Sequence, residues 1–162
     1  MLTSHTSSQR IDVVFEVYMD QSIKDAERAN HTADTGILRD HSKSYMVKNW
    51  RQILSSSDSK RHLMGYFVQD WERKQHLVGE NKQLYVTQES KCIKITKEAV
   101  MKVHELACTR EEADTRVILH ASHAACSGFK SVVIVAADIL VLCIAFKKEI
   151  NCNLYMLISS RN

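Results

Sequence analysis

The sequence predicts an α/β domain whose mostly parallel, twisted sheet is flanked by helices. Three observations predict it. Residues 111–138 read in the order helix, glycine, strand: "EEADTRVILHASHAAC" has helical spacing, Gly128 follows, and "VVIVAA" is an apolar run too short for a helix. Such a run is typical of a parallel strand covered on both faces. Near the start, "RIDVVFEVY" is rich in β-branched and aromatic residues that favour a pleated, buried environment. A chain of 162 residues with 44% hydrophobic content has enough apolar material for one core, so a single domain over 1–162 is expected.

In chain order, the polar residues 1–9 are expected to be disordered and Ile11–Tyr18 to form a central strand. Asp20 and Ser22 offer caps to a short helix through "SIKDAER". Residues 30–43 show no period and read as a loop. A helical insertion over 44–79 is then expected as a packed pair. Val47, Trp50, Ile53 and Leu54 mark one face of the first helix, and "SSSDSK" interrupts it. Leu63, Met64, Phe67, Val68 and Trp71 mark the second, which stops at Gly79. "QLYVT" and "CIKIT" read as a hairpin, and "KEAVMKVHEL" as a short helix. Thr109 is a suitable N-cap for the long helix, with Glu112 as its capping-box partner. "LVLCIAF" suits helix or strand, and "CNLYMLI" continues the α/β pattern.

Composition excludes several classes. No apolar run reaches membrane-spanning length, and "MLTSHTSSQR" lacks a signal-peptide core, so an intracellular protein without membrane contact is expected, in nucleus or cytoplasm. The five cysteines are odd in number and lack C-x-x-C spacing, as reduced core thiols do. The four glycines are scattered, so no glycine-rich phosphate loop exists. Net charge is +3, and the excess falls in residues 81–162, with 11 basic and 8 acidic residues against 11 and 11 in residues 1–80. Lys91, Lys94, Lys97 and Lys102 belong to that half and are candidate contacts for DNA or RNA, although a solvated face is the better account of the lysines alone.

The acids have a pattern of their own. Ligands of α/β sheets gather outside the carboxyl ends of strands. Glu16 lies near the end of the first strand, Asp138 ends the strand after the long helix, and Glu111, Glu112 and Asp114 open that helix. Hard divalent cations take oxygen ligands, and a two-metal site holds its ions about 3.5–4 Å apart for phosphoryl transfer. Carboxylates from separate elements suit that chemistry, provided the strands at Ile11–Tyr18 and Val132–Ala136 share a sheet. The competing account is structural, since acids in a first turn complement the helix dipole by about 0.3–1 kcal/mol each.

The stretch "EEADTRVILHASHAA", a glycine and "VVIVAAD", with "RIDVVFEVYMDQSIKDAER", "VKNW" and "LYVT" upstream, resembles a group of animal proteins found in mobile-element-like expansions. The acidic spacing is similar to the wider PIN-like and flap-endonuclease class. That resemblance implies a PIN-like fold and Mg²⁺- or Mn²⁺-dependent hydrolysis of DNA or RNA. Carried over, Glu112, Asp114 and Asp138 would be catalytic, with Glu16 completing the metal ligands. If Glu112 and Asp114 hold a metal, Arg116, one turn into the helix, is placed to touch a phosphate, although a solvent-facing or ion-paired arginine fits at least as well. The family's strand ends Asp-Thr-Asp-Val, whereas this chain reads "DILVL", two residues and one carboxylate short. Losing an anion about 4 Å from a cation removes attraction of about 4 kcal/mol at an effective dielectric near 20. A degenerate or truncated copy is therefore expected, with a non-catalytic module that binds nucleic acid or protein as the alternative.

Two further constellations are weaker. Cys108, His120, His123 and Cys126 are zinc-type residues, but Cys108 lies about a helix length from His120, so zinc is not expected. His123 and Cys126 are three apart, yet nothing in the sequence supplies the orienting group a catalytic thiol requires.

Overall fold

The computed structural model describes residues 7–17, 51, 54, 56–110, 113–136 and 152–158. The α/β class holds. Strands β1 (Arg10–Val13), β2 (Gln83–Gln88), β3 (Lys91–Ile95) and β4 (Val100–Lys102) form one sheet in that order. β1 is parallel to β2, while β2, β3 and β4 run antiparallel. Strands β5 (Ser131–Ala136) and β6 (Asn153–Ile158) form a second, parallel pair. The expectation of a mostly parallel sheet is thus corrected to a mixed one, because "QLYVT" and "CIKIT" form the hairpin their spacing predicts and β4 adds to its far edge. β1 is shorter than expected and, among the described strands, lies at a sheet edge instead of its centre.

Strand alternation divides the first sheet into two unlike faces. Leu84, Val86, Ile93 and Ile95 pack with Val68 and Val78, and Ile11, Val13, Phe15 and Trp71 close the same cluster. Val68 and Trp71 belong to helix α1 (Ser57–Arg73), so this part of the expected insertion is one wall of the core. "SSSDSK" interrupts the helical pattern as expected: residue 51 is helical, Leu54 lies in a turn, and Ser56 is extended just before α1. Ser56 caps it, its Oγ accepting from the Ser59 N–H at 3.4 Å, and the residues that follow form the first turn. A 3₁₀ turn at Gln75–Leu77 then leads towards Gly79.

"KEAVMKVHEL" forms β4 and a 3₁₀ turn at His104–Leu106, not a helix. Pairing with β3 and complete burial of Leu106 on the sheet's other face outweigh a local helical spacing. There Leu106 joins Tyr85 and Cys92, with Val103 and Leu119 around them.

Helix α2 (Ala113–Cys126) is the expected long helix, and it ends as its glycine predicts. Phe129 donates to the Ala124 carbonyl at 3.2 Å and Gly128 to that of Ala125 at 3.0 Å, a Schellman closure with Gly128 at φ 90°. The chain reverses there, so β5 runs back along α2. Ile118 and Ala121 pack on Ile134, flanked by Val132, Leu154 and Met156. Among the described residues β1 and β5 lie in different sheets, and α2 touches both.

The helix expected at "SIKDAER", the loop at 30–43, the helical residues 45–50 and the element at "LVLCIAF" lie outside the described residues, as does residue 18. Of the stretch expected to be disordered, residues 1–6 lie outside them too, while Gln9 accepts a hydrogen bond from the Gln83 N–H at 2.9 Å.

Candidate functional site

Arg116, His120 and His123 recur at i, i+4 and i+7 of α2, a spacing that puts them on one helical stripe. Each meets β1 or the residues just after it. Arg116 donates from Nη1 to the Phe15 carbonyl and from Nη2 to the Glu89 carbonyl, both at 2.7 Å. His120 Nδ1 lies 2.7 Å from Asp12 Oδ1, and Arg10 Nη1 lies 3.0 Å from His123 Nδ1. Arg10 also grips Asp12 with two bonds, Nε to Oδ2 at 2.7 Å and Nη2 to Oδ1 at 2.8 Å. This polar seam joins helix to strand, while the neighbouring stripe of α2 buries Ile118 and Ala121 against β5 and β6.

Donor and acceptor rules fix the protons along the seam. A carboxylate only accepts, so His120 carries its hydrogen on Nδ1. A guanidinium only donates, so His123 presents the Nδ1 lone pair and is neutral. Arg10 further stacks on Tyr85, its Cζ 3.8 Å from the ring centroid. Burial alone would raise the Asp12 carboxyl, but hydrogen bonds from His120 and Arg10 with their charges outweigh it and hold Asp12 below the usual range. Burial and the Arg10 charge both lower His123.

The same geometry bears on the two minor constellations. His123 has committed its lone pair to Arg10, so it is neither a second zinc ligand beside His120 nor a base for Cys126. Among the described residues no group of three or more histidine, cysteine, aspartate or glutamate side chains is arranged to hold a metal. Burial, reinforced by nearby Asp12, pushes the Cys92 thiol up to about 12, which leaves it a core residue and no nucleophile.

Of the carboxylates expected to hold a cation, Glu112 and Asp138 lie outside the described residues. Glu16 is exposed, three residues past the end of β1, and Asp114 is partly exposed in the first turn of α2. No shared sheet connects these positions among the described residues. Their link is Arg116, which ties the first turns of α2 to Phe15, the residue before Glu16. The expected phosphate contact of Arg116 is corrected: it is completely buried, and both terminal nitrogens are held by carbonyls. Its guanidinium is a clamp.

The lysines do not form one patch. Lys102 pairs with Ile93, which faces α1, and alternation puts Lys91 on that side too, whereas Lys94 lies opposite Tyr85 on the other face. Lys97 reaches Glu80 at 2.9 Å.

Comparison of the chain with protein-family models, with curated proteins and with solved structures returns no significant match. Among the described residues no helix is long and apolar enough to cross a membrane.

Sequence reading missed Arg10 and Asp12 as partners of the helix. Their period-two placement puts both on one face of β1, which was a legible sign, but the histidines they meet lie more than a hundred positions away.

Proposed function

We propose that the chain is a degenerate divalent-metal-dependent nuclease-like domain of PIN-like type, a mobile-element relic whose acidic edge lies where β1 and β5 end and α2 begins. The observation that carries this reading is the Arg116 clamp: a 2.7 Å bond from the buried Arg116 joins the residue beside Glu16 to a helix that opens with Asp114 two positions earlier. β5 runs back along α2, a course that carries its carboxyl end at Ala136 towards the start of that helix. Glu16 and Asp114 are carboxylates with no ion-pair partner among the described residues, hard oxygen donors of the kind Mg²⁺ and Mn²⁺ take. Glu112 and Asp138 would complete the set. Such an ion supplies Lewis-acid activation of water and stabilises charge developing on a phosphodiester. The chain's own part is to hold the carboxylates still, which the clamp does from below.

The missing strand-end aspartate gives the test. Inserting Thr-Asp after Asp138 is expected to raise Mn²⁺ affinity at least about tenfold, the scale of a single ligand-shell loss, and to bring cleavage of labelled single-stranded or flapped DNA and RNA. Adding Asp114→Asn to the insertion should abolish both gains. A folded insertion variant without any gain in Mn²⁺ binding would falsify the metal reading.

The alternative, a non-catalytic nucleic-acid- or protein-binding module, draws its support from Lys91 and Lys102 on one face of the sheet. Salt-sensitive binding without cleavage in either chain would favour it.

A further inference from the structure

The bond between Arg10 and His123 exists in only one protonation state of the histidine. Nδ1 of His123 accepts from Arg10 Nη1 at 3.0 Å, and a proton on that nitrogen would replace the acceptor by a second cation facing the guanidinium. From this geometry we infer that His123 is an acid-sensitive latch between β1 and α2: closed with the ring neutral, released when it protonates.

The surroundings favour release over capture of the proton. On β1, His123 is faced by Arg10 and by Asp12, whose carboxylate is already bound twice by Arg10 and once by His120. From β2 comes the Tyr85 ring, 6.0 Å away between centroids, itself under Arg10 and with Lys94 Nζ of β3 5.6 Å from it. Glu105, in the turn before α2, attracts the proton, while His120 on α2 itself opposes it, as Arg10 does. Burial and the Arg10 charge prevail, and the ring is held below its ordinary value of 6.5.

The sign follows. A depressed histidine contributes nothing to pH dependence above the unfolded value, and stability falls as pH drops below it towards the folded value. Over that window the folding equilibrium constant should change by up to about tenfold per pH unit for the one proton. The latch is independent of the metal reading, since His123 lies at the far end of α2 from Asp114.

Histidine ring ¹⁵N spectra of the full chain, recorded from about pH 7.5 to about pH 5, test it together with urea unfolding of the native chain and of His123→Gln. Glutamine keeps an oxygen acceptor for Arg10 but takes up no proton. The expected result is a His123 ring with its hydrogen on Nε2 at neutral pH, titrating below 6.5, and a His123→Gln chain that loses the single-proton slope. A His123 titrating at or above 6.5, or His123→Gln retaining the full native slope, would overturn the inference. If His123→Gln fails to fold, the ring titration of the native chain alone decides.

Discussion

Arg116→Met is expected to lower unfolding stability by about 2–4 kcal/mol in urea denaturation. The substitution takes the donor from the half-buried Phe15 carbonyl and from that of the exposed Glu89, which water partly replaces. An opposing effect exists: a guanidinium with no exposed surface and no carboxylate among its described partners bears a desolvation penalty that methionine removes. Two lost charge-assisted bonds, about 1.5–3 kcal/mol each, should outweigh that relief because Arg116 still has only its Nε unpartnered. Arg116→Lys should recover less than half, since one ammonium on a flexible stem does not reproduce a fork spanning two separate carbonyls. Stability unchanged in Arg116→Met would mean the clamp holds nothing. Glu89 adds a local signature, because its φ of 51° is uncommon for a side-chain-bearing residue and the bond from Arg116 to its carbonyl helps hold that turn.

Asp12→Ala should be the more damaging change, with a loss of about 3–5 kcal/mol by the same measurement. Asp12 is the only described carboxylate bonded to Arg10 and His120, whose side chains are 4% and 3% exposed. Removing it strands a buried guanidinium and a ring N–H together. Asp12→Asn should fall between, because one amide oxygen serves Arg10 while the amide NH₂ meets the Nδ1–H of His120 donor to donor. The acid profile gives a second readout. With its carboxyl held below the ordinary 3.8, Asp12 contributes stability that is present above that value and lost as pH falls through it. Asp12→Asn should flatten that final loss and leave the His123 step at higher pH in place. A variant as stable as the native chain at neutral pH would contradict the assignment of Asp12 as the seam's counter-charge.

Much of the fold was legible where local chemistry and tertiary packing agree. The hairpin at Gln83–Ile95, the stop at Gly128 and the strand at Ser131–Ala136 all follow from pattern, turn residues and length. Where the two conflict, the sequence misleads. Val100–Lys102 has helical neighbours in the sequence but becomes an edge strand because β3 offers it a ladder.

The candidate site shows the same division. Its acids were visible as acids, and the stripe Arg116, His120, His123 was visible as polar residues at helical spacing. The chemistry such a stripe performs depends on what it faces. Read alone, it suggested a phosphate contact, a zinc pair or a catalytic dyad; set against Arg10, Asp12 and Phe15 it is a strand–helix seam. Those partners are a hundred residues away or more, and no local pattern encodes that pairing.

Under the proposed metal reading, Glu16 and Asp114 share one cation-binding edge held together by the seam. Paramagnetic broadening of backbone amides on adding Mn²⁺ well below stoichiometry measures this in the native chain, even when affinity is weak. The predicted result is broadening centred on the amides of residues 15–17 and 113–116, lost in Asp114→Asn, with Lys91 and Lys102 on the sheet unaffected. Broadening spread evenly over surface acids such as Asp58, Glu98 and Glu105, or unchanged by Asp114→Asn, would contradict it.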